Sequence, residues 1–207
     1  MKKIFFILVV LSFIGCAMGN KYDYQSSSIV LPVKPADNKA LILSVEDLRP
    51  YVLNGGKAPN FVGLQRGGFG NPFDVTTVSG KPMTEDMSIA ITKALTQVGY
   101  RVQNVQGKPE NVYLVKIAAE TGASRIVVLK VYEWKSDIFM GIGLHSDILL
   151  NVFDTNLKLL AESNMKFDEG IGGAQIGSAR NSQIITDEFA KRIGYLFNKK
   201  EIREALE

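Results

Sequence analysis

Apolar residues in this chain change period several times, and each change marks an element. Ala40 to Asp47, ALILSVED, begins with four consecutive apolar residues, the pattern of a central strand covered on both faces. From Pro82 to Val98 the period lengthens: Met83, Met87, Ala90, Ile91, Ala94, Leu95 and Val98 recur at three- and four-residue spacing, the stripe of a helix. Glu85 and Asp86 fall in its first turn, at the positive end of the helix dipole, and Gly99 is placed to end it. Tyr100 to Val105 reads as a strand, Gly107-Lys108-Pro109 as a turn, and Glu110 to Thr121 as a shorter helix closed by Gly122.

The second half of the chain alternates with period two. Ser124 to Trp134, Gly141 to Phe153 and Leu157 to Phe167 read as strands. In the last, Leu157, Leu159, Ala161, Met165 and Phe167 share one face, with Lys158, Glu162, Asn164 and Lys166 on the other. Asp154-Thr155-Asn156 is a hairpin connection, so the three strands are expected to form an antiparallel meander. A Gly-rich bend, EGIGGAQIGS, precedes a final helix from roughly Ser178 to Asn198, buried along Ile185, Phe189, Ile193, Leu196 and Phe197. Together these elements predict an α+β fold, a two-layer sandwich with a mostly antiparallel sheet and helices packed on one face.

Two stretches lack a period. Asn20 to Lys39, rich in Ser, Pro, Lys and Asp, reads as a flexible tether in which Ile29 to Val33 could dock as a short edge strand. Leu48 to Gly80 is punctuated by Gly and Pro and reads as a long loop or extended excursion, with Phe73 to Val78 returning as a strand. The 207 residues, 46% of them hydrophobic and 22% charged, suit one globular domain with a full core.

The N-terminus sets the compartment. Lys2-Lys3 precedes an apolar run from Ile4 to Ile14, too short for the roughly 20 residues of a membrane-spanning helix and matched to a secretory signal. Cleavage before Cys16 would put the bulky Phe13 at −3, which an ordinary signal peptidase rejects and the lipoprotein pathway tolerates. Phe-Ile-Gly-Cys resembles the bacterial lipobox, and by that resemblance Cys16 carries diacylglycerol and becomes the new N-terminus. The other readings of Cys16 are a plain leader residue or a catalytic thiol, and the latter lacks a neighbouring base. With no second cysteine there is no disulfide and no Cys-ligated zinc. Ala17 is not the Asp of inner-membrane retention, so the expected location is the outer membrane, lipid-anchored and facing the periplasm. The predicted organisation is a signal peptide over 1–15, a lipidated N-terminus and tether over 16–39, and one α+β domain over 40–207.

Formal charge is +3; without Lys2 and Lys3 the basic residues number 22 against 21 acidic, or +1. A near-neutral chain whose only Lys/Arg cluster is Lys199–Lys200 lacks the basic face that phosphate binding needs, and nucleic acid is discounted.

The lipobox, a first strand ending Val-Glu-Asp-Leu-Arg-Pro, the Gly-rich excursion, a helix ending Leu-Thr-Gln-Val-Gly-Tyr-Arg-Val and the stretch SDILLNVFDTNLKLLAESNMKFDEG together resemble the YajG-like bacterial lipoproteins. The resemblance covers most of the chain after Cys16, as a pattern of elements carried by short motifs. It implies a periplasmic lipoprotein with no assigned enzymatic activity, and Cys16 is the one site it transfers.

Candidate chemistry is sparse. Gly67-Gly68-Phe69-Gly70 is followed by Asn71-Pro72 and not by a helix, so it matches neither a dinucleotide fingerprint nor a P-loop. Gly170-Ile171-Gly172-Gly173 fails likewise, although a helix follows and leaves room for an anion. His145, the only histidine, sits on an alternating strand beside Asp147 and reads as a sheet-surface residue. Asp47, Asp74, Glu133, Asp147 and Asp168 could supply a glycosidase-like carboxylate pair only if two of them meet at the right separation. The stretch Tyr132 to Met140 bridges two predicted strands and carries more apolar bulk than a turn requires. Trp134, Phe139 and Met140 are therefore candidates for a partner-binding edge, the alternative being that they pack beneath the Gly-rich excursion. The expectation is a non-enzymatic envelope protein without metal or cofactor, acting through protein contacts as an accessory of an assembly or transport complex. A lipid- or glycan-binding module is the alternative, and an enzyme built on carboxylates a third.

Overall fold

A computed structural model of the chain describes residues 20–33, 38–174 and 178–207. In chain order the elements are β1 (Lys21–Tyr22), β2 (Ala40–Asp47), α1 (Pro50–Leu53), β3 (Phe61–Arg66), β4 (Pro72–Thr77), α2 (Met83–Gln97), β5 (Arg101–Gln106), α3 (Asn111–Thr121), β6 (Ala123–Ile138), β7 (Gly141–Phe153), β8 (Leu159–Gly173), α4 (Ser178–Phe197) and α5 (Lys200–Leu206). All eight strands join one sheet, organised around β6. Along one edge β6 pairs antiparallel with β7 from Ile126↔Phe153 to Ile138↔Ile142, and β8 extends the meander beyond β7. Along its other edge β6 is shared: its first half pairs with β2 up to Asp47↔Val131, and its end pairs with β3 from Gly63↔Ser136 to Gln65↔Ile138. The sheet therefore forks, with β2 and β5 on one branch and β3, β4 and β1 on the other.

Arg49 fills the crotch of the fork. Its wholly buried guanidinium donates from Nε and Nη2 to Asp47 at 2.8 and 2.7 Å, and to the carbonyls of Phe61 (2.6 Å), Pro59 (3.1 Å) and Trp134 (3.4 Å). Burial opposes its charge, but the hydrogen bonds and field of Asp47 outweigh that and hold the group protonated. One side chain thus donates to three backbone carbonyls at the point where the strands diverge.

The antiparallel meander forms as its alternation predicts, but the sheet is mixed: four of its seven strand pairings, β1–β4, β2–β5, β2–β6 and β3–β6, are parallel. Strands joined through α2 and α3 must cross over, and crossovers return parallel. Nor do the helices share one face. Leu41, Leu43 and Val45 of β2 meet α2, α4 and α5 with Val127 and Leu129, whereas Ala40, Ile42, Ile126 and Val128 meet Leu114 and Ala118 of α3 on the opposite face. The step from β2 to β5 and the step from β5 back past β2 to β6 run in opposite directions, so right-handed crossovers put α2 and α3 on opposite sides. The two-layer description fails here for that reason.

The tether also requires correction where it is described. Tyr22, Tyr24, Ile29, Leu31 and Val33 are buried in the main core. β1 pairs with β4, and the segment beyond it lies against α4, where a Cβ on Gly194 would come within 2.9 Å of the Val30 carbonyl oxygen. The Gly-rich excursion contains the β3–β4 hairpin, and the bend after Phe167 is the continuation of β8 as far as Gly173.

Candidate functional site

Trp134 is not a surface anchor. Its side chain is completely buried; the indole Nε1 donates to Tyr24 Oη at 2.9 Å, and its ring meets Tyr24 and Phe189 edge-on at 6.4 and 5.8 Å. Tyr22 lies next in the cluster, its hydroxyl 2.8 Å from Ser136 Oγ. Burial pushes the Tyr22 hydroxyl up to about 12 and raises Tyr24 as well, so both stay neutral across physiological pH. The sequence signal for this cluster lay in the supposed tether, where Tyr22 and Tyr24 are spaced to face one side of an extended chain.

Phe139 and Met140 do stand out from the body, 47% and 82% exposed, in the tight turn between β6 and β7 where Phe139 N–H donates to the Gly141 carbonyl at 3.1 Å. Beside them is the β3–β4 turn, closed by Gly70 N–H donating to the Gly67 carbonyl at 2.8 Å and carrying Phe69, which none of the described residues covers (103% exposed). The parallel register Gln65↔Ile138 puts the two turns side by side at one end of the sheet. Arg66 on one hairpin donates from Nε and Nη2 to both carboxylate oxygens of Asp137 on the other, at 2.8 and 2.5 Å. The Arg66 hydrogen bonds hold the Asp137 carboxyl below the usual carboxylate range. Phe69 is the member of this patch that sequence reasoning missed; an aromatic set among three glycines was the available clue.

The candidate carboxylates are occupied. Asp47 is held by Arg49, Asp74 by Lys57, Asp147 by Lys166 at 2.8 Å, and Asp168 by His145 Nδ1 at 3.0 Å. Glu133 accepts from Tyr51 Oη at 2.5 Å and lies 3.6 Å from Lys135. This is the pattern of ion pairs along a sheet, with His145 on the strand surface as its alternation predicts. Among the described residues, no three His, Cys, Asp or Glu side chains cluster to hold a metal ion. Cys16 lies outside the described residues.

Open clefts flank α4, the roomiest, of about 500 Å³, between the helix and Val30 and Pro32. Another, of about 220 Å³, is lined by Asp23, Ser26, Ser182, Gln183, Thr186 and Asp187. A third, of similar size to the second, lies between β8 and α4 and is lined by Met165, Phe167 and Tyr195, with Arg192 at its floor. Arg192 is nearly buried, donates to Ser146 Oγ at 3.1 Å, pairs with Glu169 and Glu188, and lies 5.0 Å from the Phe167 ring centroid. It ties the far half of β8 to the helix.

No protein-family model and no curated protein sequence matches the chain. Solved structures are similar to it. The protein XCC0632 of Xanthomonas campestris, assigned to the family DUF330, superposes with a TM-score of 0.55 at 9% identity, over 86% of this chain and 93% of that one. The dodecameric PelC of Paraburkholderia phytofirmans gives 0.45 at 12% identity, over 81% and 95%. The lipoprotein GNA1162 of Neisseria meningitidis gives 0.40 at 11% identity, over 76% and 99%. At these identities the likeness to XCC0632 is one of fold. Among the described residues no helix is long and apolar enough to cross a membrane.

Proposed function

We propose that this protein is a YajG-like lipoprotein of the bacterial envelope, held at the outer membrane through acylated Cys16, facing the periplasm, and acting by contact with a protein partner in an assembly or transport complex. It carries out no reaction of its own in this reading. The observation that supports it most is β8, fifteen residues long and, among the described residues, with a strand partner on one side only. Such an edge offers a row of backbone donors and acceptors to an added strand, and Leu160 and Phe167 stand exposed along it. Trp134 has no part in this surface. Each of the five candidate carboxylates is engaged by another side chain, an arrangement that suits a contact role.

The second reading is a ligand-binding module, for which the hydroxyl- and carboxylate-lined cleft beside α4 is the better candidate, its side chains matching sugar hydroxyls. Crosslinking in native membranes followed by mass spectrometry separates the two. One recurrent protein complex, diminished by Cys16→Ser, is the expected result; crosslinks to no protein overturn the contact reading, and an N-terminal peptide lacking acyl mass overturns the anchor.

A further inference from the structure

The position of the N-terminal strand bears on the exposed hairpin turns. β3 is parallel to β6 and both run toward the end of the sheet where Phe69, Phe139 and Met140 lie. β4 runs back from that end, and β1 is parallel to β4, with Lys21↔Thr76 and Tyr22↔Thr77. The described chain therefore begins, at Asn20, with its N-terminal end directed toward the turns. Asn20 is fixed there: its carbonyl accepts from Thr76 N–H at 3.2 Å, and its side-chain amide donates to Gln65.

Distances along the sheet agree. One step before Lys21↔Thr76 is the level of Val75, which pairs with Gly63, which pairs with Ser136. Met140 is four residues beyond Ser136, so it lies about 13 Å further toward the end at roughly 3.3 Å per strand residue. Cys16 is four residues before Asn20, and an extended chain of that length spans at most about 14 Å. The acylated residue and the three exposed side chains can thus share one plane.

We infer that the two hairpin turns form a membrane-contacting tip, with Phe69, Phe139 and Met140 entering the interfacial region of the leaflet that holds the Cys16 acyl chains. The inference rests on the anchor reading. Apolar side chains left bare in water gain by entering the acyl boundary, and aromatic rings favour that depth. The turns are shaped for such contact, because their Gly-rich, tightly hydrogen-bonded backbones project side chains at little steric cost and the Arg66–Asp137 pair ties the two hairpins together. This docking holds the domain upright on the leaflet, so that β8 keeps one orientation toward a partner.

The test uses full-length, acylated protein reconstituted into vesicles of phosphatidylethanolamine and phosphatidylglycerol whose acyl chains carry bromine. The native Trp134 is buried and provides an unquenched background. In Phe69→Trp and Met140→Trp variants the added emission should be quenched severalfold by the brominated lipid, whereas in Val112→Trp, on exposed α3, it should not. Equal, weak quenching at all three positions overturns the inference, as does crosslinking of the turns to protein alone in native membranes. The acyl mass at Cys16, measured on the same samples, tells the two failures apart: a missing acyl group sinks the anchor reading, whereas an acylated protein with unquenched turns sinks only the tip. As a second arm, a chain lacking residues 1–16 should bind the same vesicles about tenfold more weakly once Phe69→Ser is added, the effect of leaving one aromatic side chain in water.

Discussion

The two halves of β6 teach different lessons about one strand. From Ile126 to Val131 it is a central strand between β2 and β7, with α3 on one face and α2, α4 and α5 on the other, and almost every side chain is buried. From Tyr132 to Ile138 it leaves that sandwich for the second branch of the fork, alternates between core and solvent, and runs out into a turn with Phe139 and Met140 exposed. Trp134 and Met140 lie six residues apart, yet one is the largest side chain in the core and the other is nearly bare. Neighbours in sequence share a function only where the strand keeps the same cover.

If the first lesson is right, Trp134→Ala should have the largest effect on stability. It removes two edge-to-face ring contacts and leaves Tyr24 Oη without its donor, an expected loss of about 3–5 kcal/mol in chemical denaturation. A loss under about 1 kcal/mol would mean that the N-terminal segment does not pack there. Gly63→Ala comes next, because it attacks the junction of the fork and not the core. A Cβ at Gly63 would stand 2.2 Å from Ser136 Oγ and 2.7 Å from the Ser136 carbonyl oxygen, so β3 must pull away from β6. Overpacking of this kind costs about 1–3 kcal/mol, and amide exchange should quicken in β3 and β4 while β2 stays protected. Uniform exchange across both branches would show that they do not open separately. The smallest effect belongs to the turns: Phe69→Ser together with Met140→Ser should change stability by within about 0.5 kcal/mol. A larger loss would mean that these side chains are covered within the protein.

Much of this was legible in sequence. The apolar stripe from Met83 to Val98, the glycine closing Asn111–Thr121, and the alternation of the last strands follow from local periodicity, and these elements stand close to where the pattern puts them. Gly122 adopts φ +65°, the left-handed conformation that a glycine tolerates best. The Gly-rich excursion was opaque for a local reason: six-residue strands with exposed faces carry little apolar signal, and β3 exists because β6 extends beyond β2 and offers it an edge.

The candidate surface divides in the same way. The sequence by itself determined that Cys16 stands alone in a lipobox-like setting, that the chain lacks a basic face, and that apolar residues crowd the turn before Gly141. Which of those residues face water only the tertiary structure decided. Burial depends on what packs from a distance, here Tyr24 from 110 positions before Trp134 and Phe189 from α4, and no local pattern records such partners. The fork, the buried Arg49 at its crotch and the common end shared by Asn20, Phe69 and Met140 are likewise products of strand order. Backbone pairing between segments far apart in the chain sets that order, and the free energy that selects it is summed over the whole sheet.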